Sequence, residues 1–169
     1  MHSVKSRNRL VPLVPNYDQS VRSTRRNIFM TVIFLDVDGV LNLGCFDQST
    51  SCFHDNCLNE LKLLVLHTDA KVVVSSSWKD DESSLNSLKC KLYEYGIRAI
   101  DTTERRSYKT REVEIQEWLD AHPDVSNYVV LDDWDLSEFF PDHMVHTCDR
   151  QRIGLDEAWR KEAEKILLR

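Results

Sequence analysis

The sequence predicts an α/β fold in which helices cover both faces of one parallel, doubly wound sheet of about five strands. Short runs of β-branched and apolar residues, such as Val32–Leu35, end in polar residues, which is typical of fully buried strands. Longer segments with apolar residues at helical spacing lie between these runs. Strands that alternate with helices in this way indicate βαβ units, because parallel strands need a crossover connection.

Each element can be justified from its local sequence. In chain order we expect a strand over 32–35, a helix over 55–67, a strand over 71–74, a helix over about 81–95, a strand over 97–100, a helix over about 110–121, strands over 128–131 and 143–146, and a helix over 155–168. Leu58, Leu61 and Leu64 form an apolar stripe in the first helix. Gly96 suits the position after the second helix, and Pro123 follows the third.

The size and charge of the chain favour one domain with a basic extension. A chain of 169 residues is long enough to bury a core of its own. Residues 1–29 hold six Lys and Arg against one Asp, whereas the whole chain has a net charge of −6. We therefore expect a basic N-terminal extension over 1–29 and one domain over 30–169. The acidic balance argues against a nucleic-acid binder held by bulk electrostatics alone.

The cysteines and the hydropathy indicate an intracellular setting. Five cysteines form an odd number without disulfide-scaffold spacing, and no apolar signal region lies near the N-terminus. No apolar run reaches the roughly 18 residues that a membrane span needs. We therefore expect a cytoplasmic protein without a membrane partner.

The first strand ends in the pattern acid, any residue, acid, glycine. Asp36, Asp38 and Gly39 follow the apolar run directly. In open α/β folds the carboxyl edge of the sheet is where ligands bind. A calcium loop is a poor alternative, because DVDGVLN lacks the further oxygen ligands and the glutamate at position 12.

Four polar clusters occur where strands end or helices begin, and parallel strand ends share one edge of a sheet. They are Asp36 with Asp38, Ser75 with Ser76, Lys109 with Arg111, and Asp132 with Asp133. A carboxylate can attack phosphorus, and a second one can move the proton. A hydroxyl and a cation can bind the phosphate oxygens. Several carboxylates in one place need a cation, and Mg²⁺ fits because it prefers oxygen ligands.

The motifs VIFLDVDGVLN, VVVSSSWK, the Lys109–Arg111 helix start and YVVLDD resemble the four ordered motifs of the haloacid dehalogenase (HAD) superfamily. REVEIQEWL and VHTCDRQRIGLDEA resemble the HAD domain of Swiss-army-knife RNA repair proteins. The resemblance implies a Rossmann-like fold and a phosphatase activity. A receiver domain uses similar residues, but there the acid pair comes first in the chain.

The resemblance also implies roles for single residues. Asp36 would be the nucleophile and Asp38 the general acid/base. Mg²⁺ would be held by Asp36, by the Asp38 main-chain carbonyl, and by Asp132 or Asp133. Two assignments stay open at this point. For the phosphate-binding hydroxyl, the match to Ser-Ser-Trp favours Ser76, whereas the length of the strand favours Ser75. For the cation, the spacing to the apolar residues of the helix favours Arg111, whereas the lysine that is usual in the family favours Lys109.

The gaps between the motifs leave no room for a separate cap domain. Residues 42–71 accommodate one loop and one helix, and residues 78–109 accommodate one helix and one strand. We therefore expect an open site, shielded by the loop Leu43–His54 and suited to a large phosphorylated substrate such as a protein or a nucleic-acid end. Trp78, next to the site, either packs or forms a wall against the substrate. The alternatives are a polynucleotide end phosphatase in RNA repair and a catalytically weak HAD module used for binding.

Overall fold

A computed structural model describes residues 29–43, 53–104, 109–147 and 153–169. The predicted extension over 1–29, except its last residue, and most of the Leu43–His54 loop lie outside the described residues. Among the described residues, every helix is too short or too polar to cross a membrane.

The core of the fold is one five-stranded sheet in which every pair of neighbouring strands is parallel. The strands are β1 (Met30–Leu35), β2 (Lys71–Val74), β3 (Ala99–Thr102), β4 (Val125–Asp132) and β5 (Met144–His146). Their order in the sheet is β3-β2-β1-β4-β5, so β1 lies in the centre. The central position explains why Val32–Leu35 is fully buried and apolar on both faces.

Helices pack on both faces of this sheet, as expected for a doubly wound fold. They are α1 (Asp55–Thr68), α2 (Glu82–Glu94), α3 (Arg111–Ala121) and α4 (Glu157–Leu167). Residues of α1, α2 and α4 share one apolar cluster with Ile33 and Leu35. Residues of α3 share the other cluster with Val32 and Phe34. The predicted α/β fold class is therefore confirmed, and the described residues contain no separate cap domain.

The predicted boundary of β3 is wrong by two residues. The apolar Ile97 is predicted to begin this strand, but it lies in the turn that closes α2: its N–H donates to Leu92 O at 3.0 Å, and the N–H of Gly96 donates to Tyr93 O at 2.9 Å. Gly96 has φ +76°, as this type of helix end requires. The strand then continues to Thr102 through polar residues, which an edge strand accepts because one side of it is exposed.

Smaller differences concern helix starts and faces. Leu155 is buried before α4 rather than in it, because the Asp156 side chain caps the helix by accepting from Trp159 N–H at 3.0 Å. Two apolar residues, Val113 of α3 and Ala158 of α4, are exposed. The helices themselves form where the spacing predicts them.

Candidate active site

A row of polar residues lies along the carboxyl edge of the sheet. From one side of the sheet to the other it consists of Thr103, Ser75, Asp36, Asp132 and His146. The backbone N–H groups of Thr103, Ser75 and Asp36 each donate to a carbonyl of the neighbouring strand at 3.0 Å, so the parallel ladder continues into the row. The register of the central strands therefore brings the ends of three sequence motifs together, those of Asp36, Ser75 and Asp132.

Asp36 and Asp132 lie side by side in this row and share one cation. Nη1 of Arg111 is 3.0 Å from Asp36 Oδ2 and 2.6 Å from Asp132 Oδ2. Both carboxylates are buried, with residue exposures of 3% and 0%. Burial alone would lower the pKa of Arg111, but the charges of Asp36 and Asp132 raise it. The guanidinium therefore stays charged and holds the two carboxylates at a fixed separation.

The structure places the two candidate cations of the third motif differently. Arg111 is the first residue of α3, so the start of the helix directs its side chain to the sheet edge. Lys109 lies two residues earlier and forms an ion pair with Glu117, further along α3. Arg111 is therefore the one that the structure brings to Asp36.

Three carboxylates form a cluster at this edge. Asp36, Asp132 and Asp133 each offer an oxygen, and these atoms lie within 4.8 Å of one another. Burial raises the pKa of Asp132 to about 6, and the neighbouring charge of Asp36 adds to the effect, while Arg111 opposes it. Burial and the charge of Asp36 also raise the pKa of Asp133. The crowding of negative charge causes part of both shifts, and a bound cation would relieve it.

The residues of this cluster fit a divalent metal ion. Three carboxylates face the single guanidinium of Arg111, which leaves two negative charges when all three are ionised. Carboxylate oxygens are the ligands that Mg²⁺ prefers. The cluster does not include the carboxylate of Asp38. The expectation that Asp38 contributes through its main-chain carbonyl therefore stays a prediction.

Gly39 is the residue that lets Asp133 approach the first motif. Its φ of +74° lies in the left-handed region. A Cβ atom at Gly39 would lie 2.4 Å from Asp133 Cβ and 2.7 Å from Asp133 Oδ2. From the other side, the His146 ring donates from Nε2 to Asp133 O at 3.0 Å. The glycine of the first motif therefore supplies both the turn and the space for a cluster residue.

Asp38 is held in a different way from Asp36. Its side chain is exposed, and each carboxylate oxygen accepts a hydrogen bond from a neutral donor. Asn42 Nδ2 donates to Oδ1 at 2.7 Å, and Trp78 Nε1 donates to Oδ2 at 3.0 Å. The Trp78 ring also packs on Phe53, with the ring centroids 5.2 Å apart. Trp78 therefore both packs and contacts a candidate catalytic residue.

The two serines of the second motif have different surroundings. Ser76 Oγ accepts from the N–H of Trp78 at 3.3 Å and thereby caps the short 3-10 helix Ser77–Asp80. Ser75 Oγ is buried and has no hydrogen-bond partner among the described residues, and Thr103 Oγ1 shares this property. A buried hydroxyl without a partner costs about 1–3 kcal/mol. The hydroxyl of Ser75, next to Asp36 in the row, is therefore free to bind a ligand oxygen.

Sequence reasoning missed a buried ion pair next to the segment that carries Ser75 and Ser76. Lys79 Nζ is 3.0 Å from Glu114 Oε2, and the side chains are only 6% and 8% exposed. Lys79 Nζ also donates to the main-chain oxygens of Ser75 and Ser76, at 3.4 and 3.3 Å. Glu114 lies one turn after Arg111 on α3, and no pattern in the sequence marks the pair, because Lys and Glu are usually exposed. The pair therefore links the segment that carries Ser75 and Ser76 to α3, the helix that carries Arg111.

Trp134 provides an exposed aromatic surface beside the cluster. Its backbone N–H donates to Asp132 Oδ1 at 2.9 Å, and the residue as a whole is 61% exposed. The guanidinium of Arg111 lies 4.8 Å from the centroid of the ring. A cation against an aromatic face is attractive, so this contact helps to orient the indole.

The parallel sheet and the acid cluster at its carboxyl edge define an α/β domain of the HAD class. Comparison with protein families identifies the particular family: the model of the HAD domain in Swiss Army Knife RNA repair proteins matches residues 32–158. This match covers well over half of the chain, so the chain belongs to that family. Among curated proteins, none matches the chain.

Proposed function

We propose that this protein is a Mg²⁺-dependent phosphomonoester hydrolase that works through a phosphoryl group on Asp36. The observation that carries the proposal is the setting of Asp36. This buried carboxylate lies between an arginine, two further carboxylates and a buried hydroxyl without a partner among the described residues. Family membership supports a hydrolase of the phosphatase type.

The phosphate would be bound by the residues that flank Asp36. Ser75 is favoured over Ser76, because the Ser76 hydroxyl already caps the 3-10 helix. Arg111 is favoured over Lys109, because it contacts Asp36 while Lys109 pairs with Glu117. A hydroxyl and a guanidinium directed at the equatorial oxygens stabilise the charge of the transferring group.

The reaction would proceed in two steps. An oxygen of Asp36 attacks phosphorus, the bond from phosphorus to the ester oxygen breaks, and Asp38 gives its proton to the departing alcohol. Asp38, now ionised, then takes a proton from a water molecule that attacks the phosphorus of phospho-Asp36. This step releases inorganic phosphate and restores both carboxyl groups. The exposed position of Asp38 lets it reach both the leaving oxygen and water.

Asp36, Asp132 and Asp133 would hold the metal ion through side-chain oxygens, and Asp38 through its main-chain carbonyl. When bound, Mg²⁺ neutralises charge on the phosphate and on the cluster.

Hydrolysis of an aryl phosphate tests the proposal. Rates should be measured with Mg²⁺ for the wild type, for Asp36→Asn and for Asp69→Asn as a matched control. Asp69 is an exposed aspartate in the left-handed region (φ 52°), which Asn also adopts, so this control makes the same chemical change outside the site. We expect Asp36→Asn to abolish hydrolysis and Asp69→Asn to retain it. Equal rates for all three would contradict the proposal, and no hydrolysis by the wild type would favour a binding module.

A polynucleotide end phosphatase is the second candidate. The family name refers to RNA repair proteins, and the exposed Trp134 ring lies against Arg111, which itself contacts Asp36. An aromatic side chain in this place offers a stacking surface for the base next to a terminal phosphate, worth about 1–3 kcal/mol per base.

Phosphate release from short oligoribonucleotides tests this candidate. We expect 3′- or 5′-phosphorylated RNA to be a better substrate than an aryl phosphate, and Trp134→Ala to lower kcat/KM for RNA about tenfold or more while sparing the aryl phosphate. Hydrolysis of the aryl phosphate without any release from RNA or DNA ends would exclude the second candidate alone.

A further inference from the structure

The contacts of Asp38 extend beyond its own turn. Asn42 belongs to the same segment, whereas Trp78 comes from the turn after β2. Asn42 also pairs with Phe53 through the backbone, and Phe53 packs on Trp78. Asp38, Asn42, Phe53 and Trp78 therefore form a closed ring of contacts around one carboxylate.

The turn that carries Trp78 is firmly held. The backbone N–H of Trp78 donates to Ser76 Oγ. The next residue, Lys79, donates to the Ser75 and Ser76 carbonyls and forms an ion pair with Glu114. Separating such a buried ion pair is strongly unfavourable, so the turn has few alternative positions. The turn therefore fixes the position from which the indole N–H reaches Asp38. The same turn carries the Ser75 hydroxyl, which has no hydrogen-bond partner among the described residues.

We propose that Trp78 is a positioning residue that fixes the Asp38 carboxyl group relative to the turn that carries Ser75 and Ser76. The inference rests on the proposed function and deepens it. An indole N–H only donates, so Trp78 cannot exchange a proton with Asp38 and acts through orientation. By holding Oδ2 while Asn42 holds Oδ1, it restricts the rotation of a side chain that is otherwise exposed. Proton transfer to the leaving oxygen depends on this orientation.

Trp78→Phe isolates the hydrogen bond, because phenylalanine keeps an aromatic ring against Phe53 and lacks the N–H. Trp118→Phe is the matched control, since Trp118 Nε1 also donates to an aspartate, Asp101 Oδ2, at 2.7 Å, away from the acid cluster. The rates should be compared for an alkyl phosphate, whose leaving group needs a proton, and for 4-nitrophenyl phosphate, whose leaving group needs it far less.

We expect Trp78→Phe to lower kcat/KM for the alkyl phosphate roughly 10- to 100-fold, a part of the 10²–10⁴-fold effect of general acid catalysis, and to change kcat/KM for 4-nitrophenyl phosphate only a few-fold. This ratio reports the first step, in which Asp38 protonates the leaving group, and does not include the second step. Trp118→Phe should alter kcat/KM for both substrates alike. Equal losses on both substrates in Trp78→Phe would overturn the inference and leave the proposed function intact. Failure of the wild type to hydrolyse either substrate would overturn both.

A second measurement does not depend on the folding of Trp78→Phe or on activity. The indole ¹⁵N–¹H resonance of Trp78 should move when Asp38→Asn replaces the charged acceptor, while the resonance of Trp118 stays in place. An unchanged Trp78 resonance would show that the contact is absent in solution and would overturn the inference.

Discussion

Asp36 and Asp38 are two residues apart, yet the protein holds them in opposite ways. Asp36 is buried and is compensated by a guanidinium that it shares with Asp132. Asp38 is exposed and is held by two neutral donors. A buried, paired carboxylate keeps its place, whereas an exposed one can reach solvent and a leaving group. The comparison supports the proposed roles, a nucleophile for Asp36 and a proton carrier for Asp38.

The first prediction concerns the exposed member of the pair. Asp38→Asn should slow hydrolysis of an alkyl phosphate on the order of 10²–10⁴-fold, because the amide cannot carry the proton. The free energy of unfolding should change by less than about 1 kcal/mol, since the side chain is exposed and an amide oxygen still accepts one of the two hydrogen bonds. Steady-state kinetics and denaturant unfolding measure the two effects. A large loss of stability together with full activity would contradict the role of Asp38 as an exposed proton carrier.

The second prediction concerns the buried member. Arg111→Met should lower the free energy of unfolding by about 3–5 kcal/mol in a metal chelator, because it leaves Asp36 and Asp132 buried without their shared cation. Urea denaturation measures the loss, and added Mg²⁺ should recover part of it. Lys109→Met, which removes a cation that pairs with Glu117 on α3, is the matched control and should cost less. Equal losses for the two variants would show that the Arg111 bridge does not stabilise the fold.

The third and smallest effect is a pH dependence. Because the pKa of Asp132 is raised from 3.8 to about 6, the folded protein binds more protons than the unfolded chain between these values. The contribution of Asp132 to the free energy of unfolding therefore falls as the pH rises from about 4 to about 6. Asp132→Asn should remove this contribution, so denaturation in a chelator should show a smaller decrease, or a larger increase, across this range than in the wild type. The same pH dependence in both proteins would contradict the raised pKa.

The sequence predicted the helices and the central strands because burial leaves an unambiguous apolar pattern. It misplaced β3 because Ile97 is a residue type common in strands but lies in the turn that closes α2, where the positive φ of Gly96 reverses the chain. It could not choose between Lys109 and Arg111, since both stand near the start of α3. Which of them reaches Asp36 depends on the exact start of the helix and on the competing Glu117.

The long-range polar contacts of the site had no periodic signal. Trp78 lies 40 residues from Asp38, and Lys79 lies on a short helix that no hydrophobic pattern marks. Burial of the Lys79–Glu114 pair is equally invisible, because both residue types are usually exposed. The order of the motifs predicts which strand ends meet, whereas the hydrogen bonds between them depend on side-chain positions that the structure supplies.

The most direct test of the central claim is to look for the phosphoryl group on Asp36. Asp38→Asn should be mixed with Mg²⁺ and 4-nitrophenyl phosphate, whose leaving group needs little help from an acid, and quenched in acid during turnover. Loss of the base should slow the second step, so the peptide that contains Asp36 should gain the mass of one phosphoryl group, and Asp36→Asn should show no such gain. Turnover by the wild type with a phosphoryl group on another residue, such as Ser75, or with none on the Asp36 peptide of Asp38→Asn, would contradict the account.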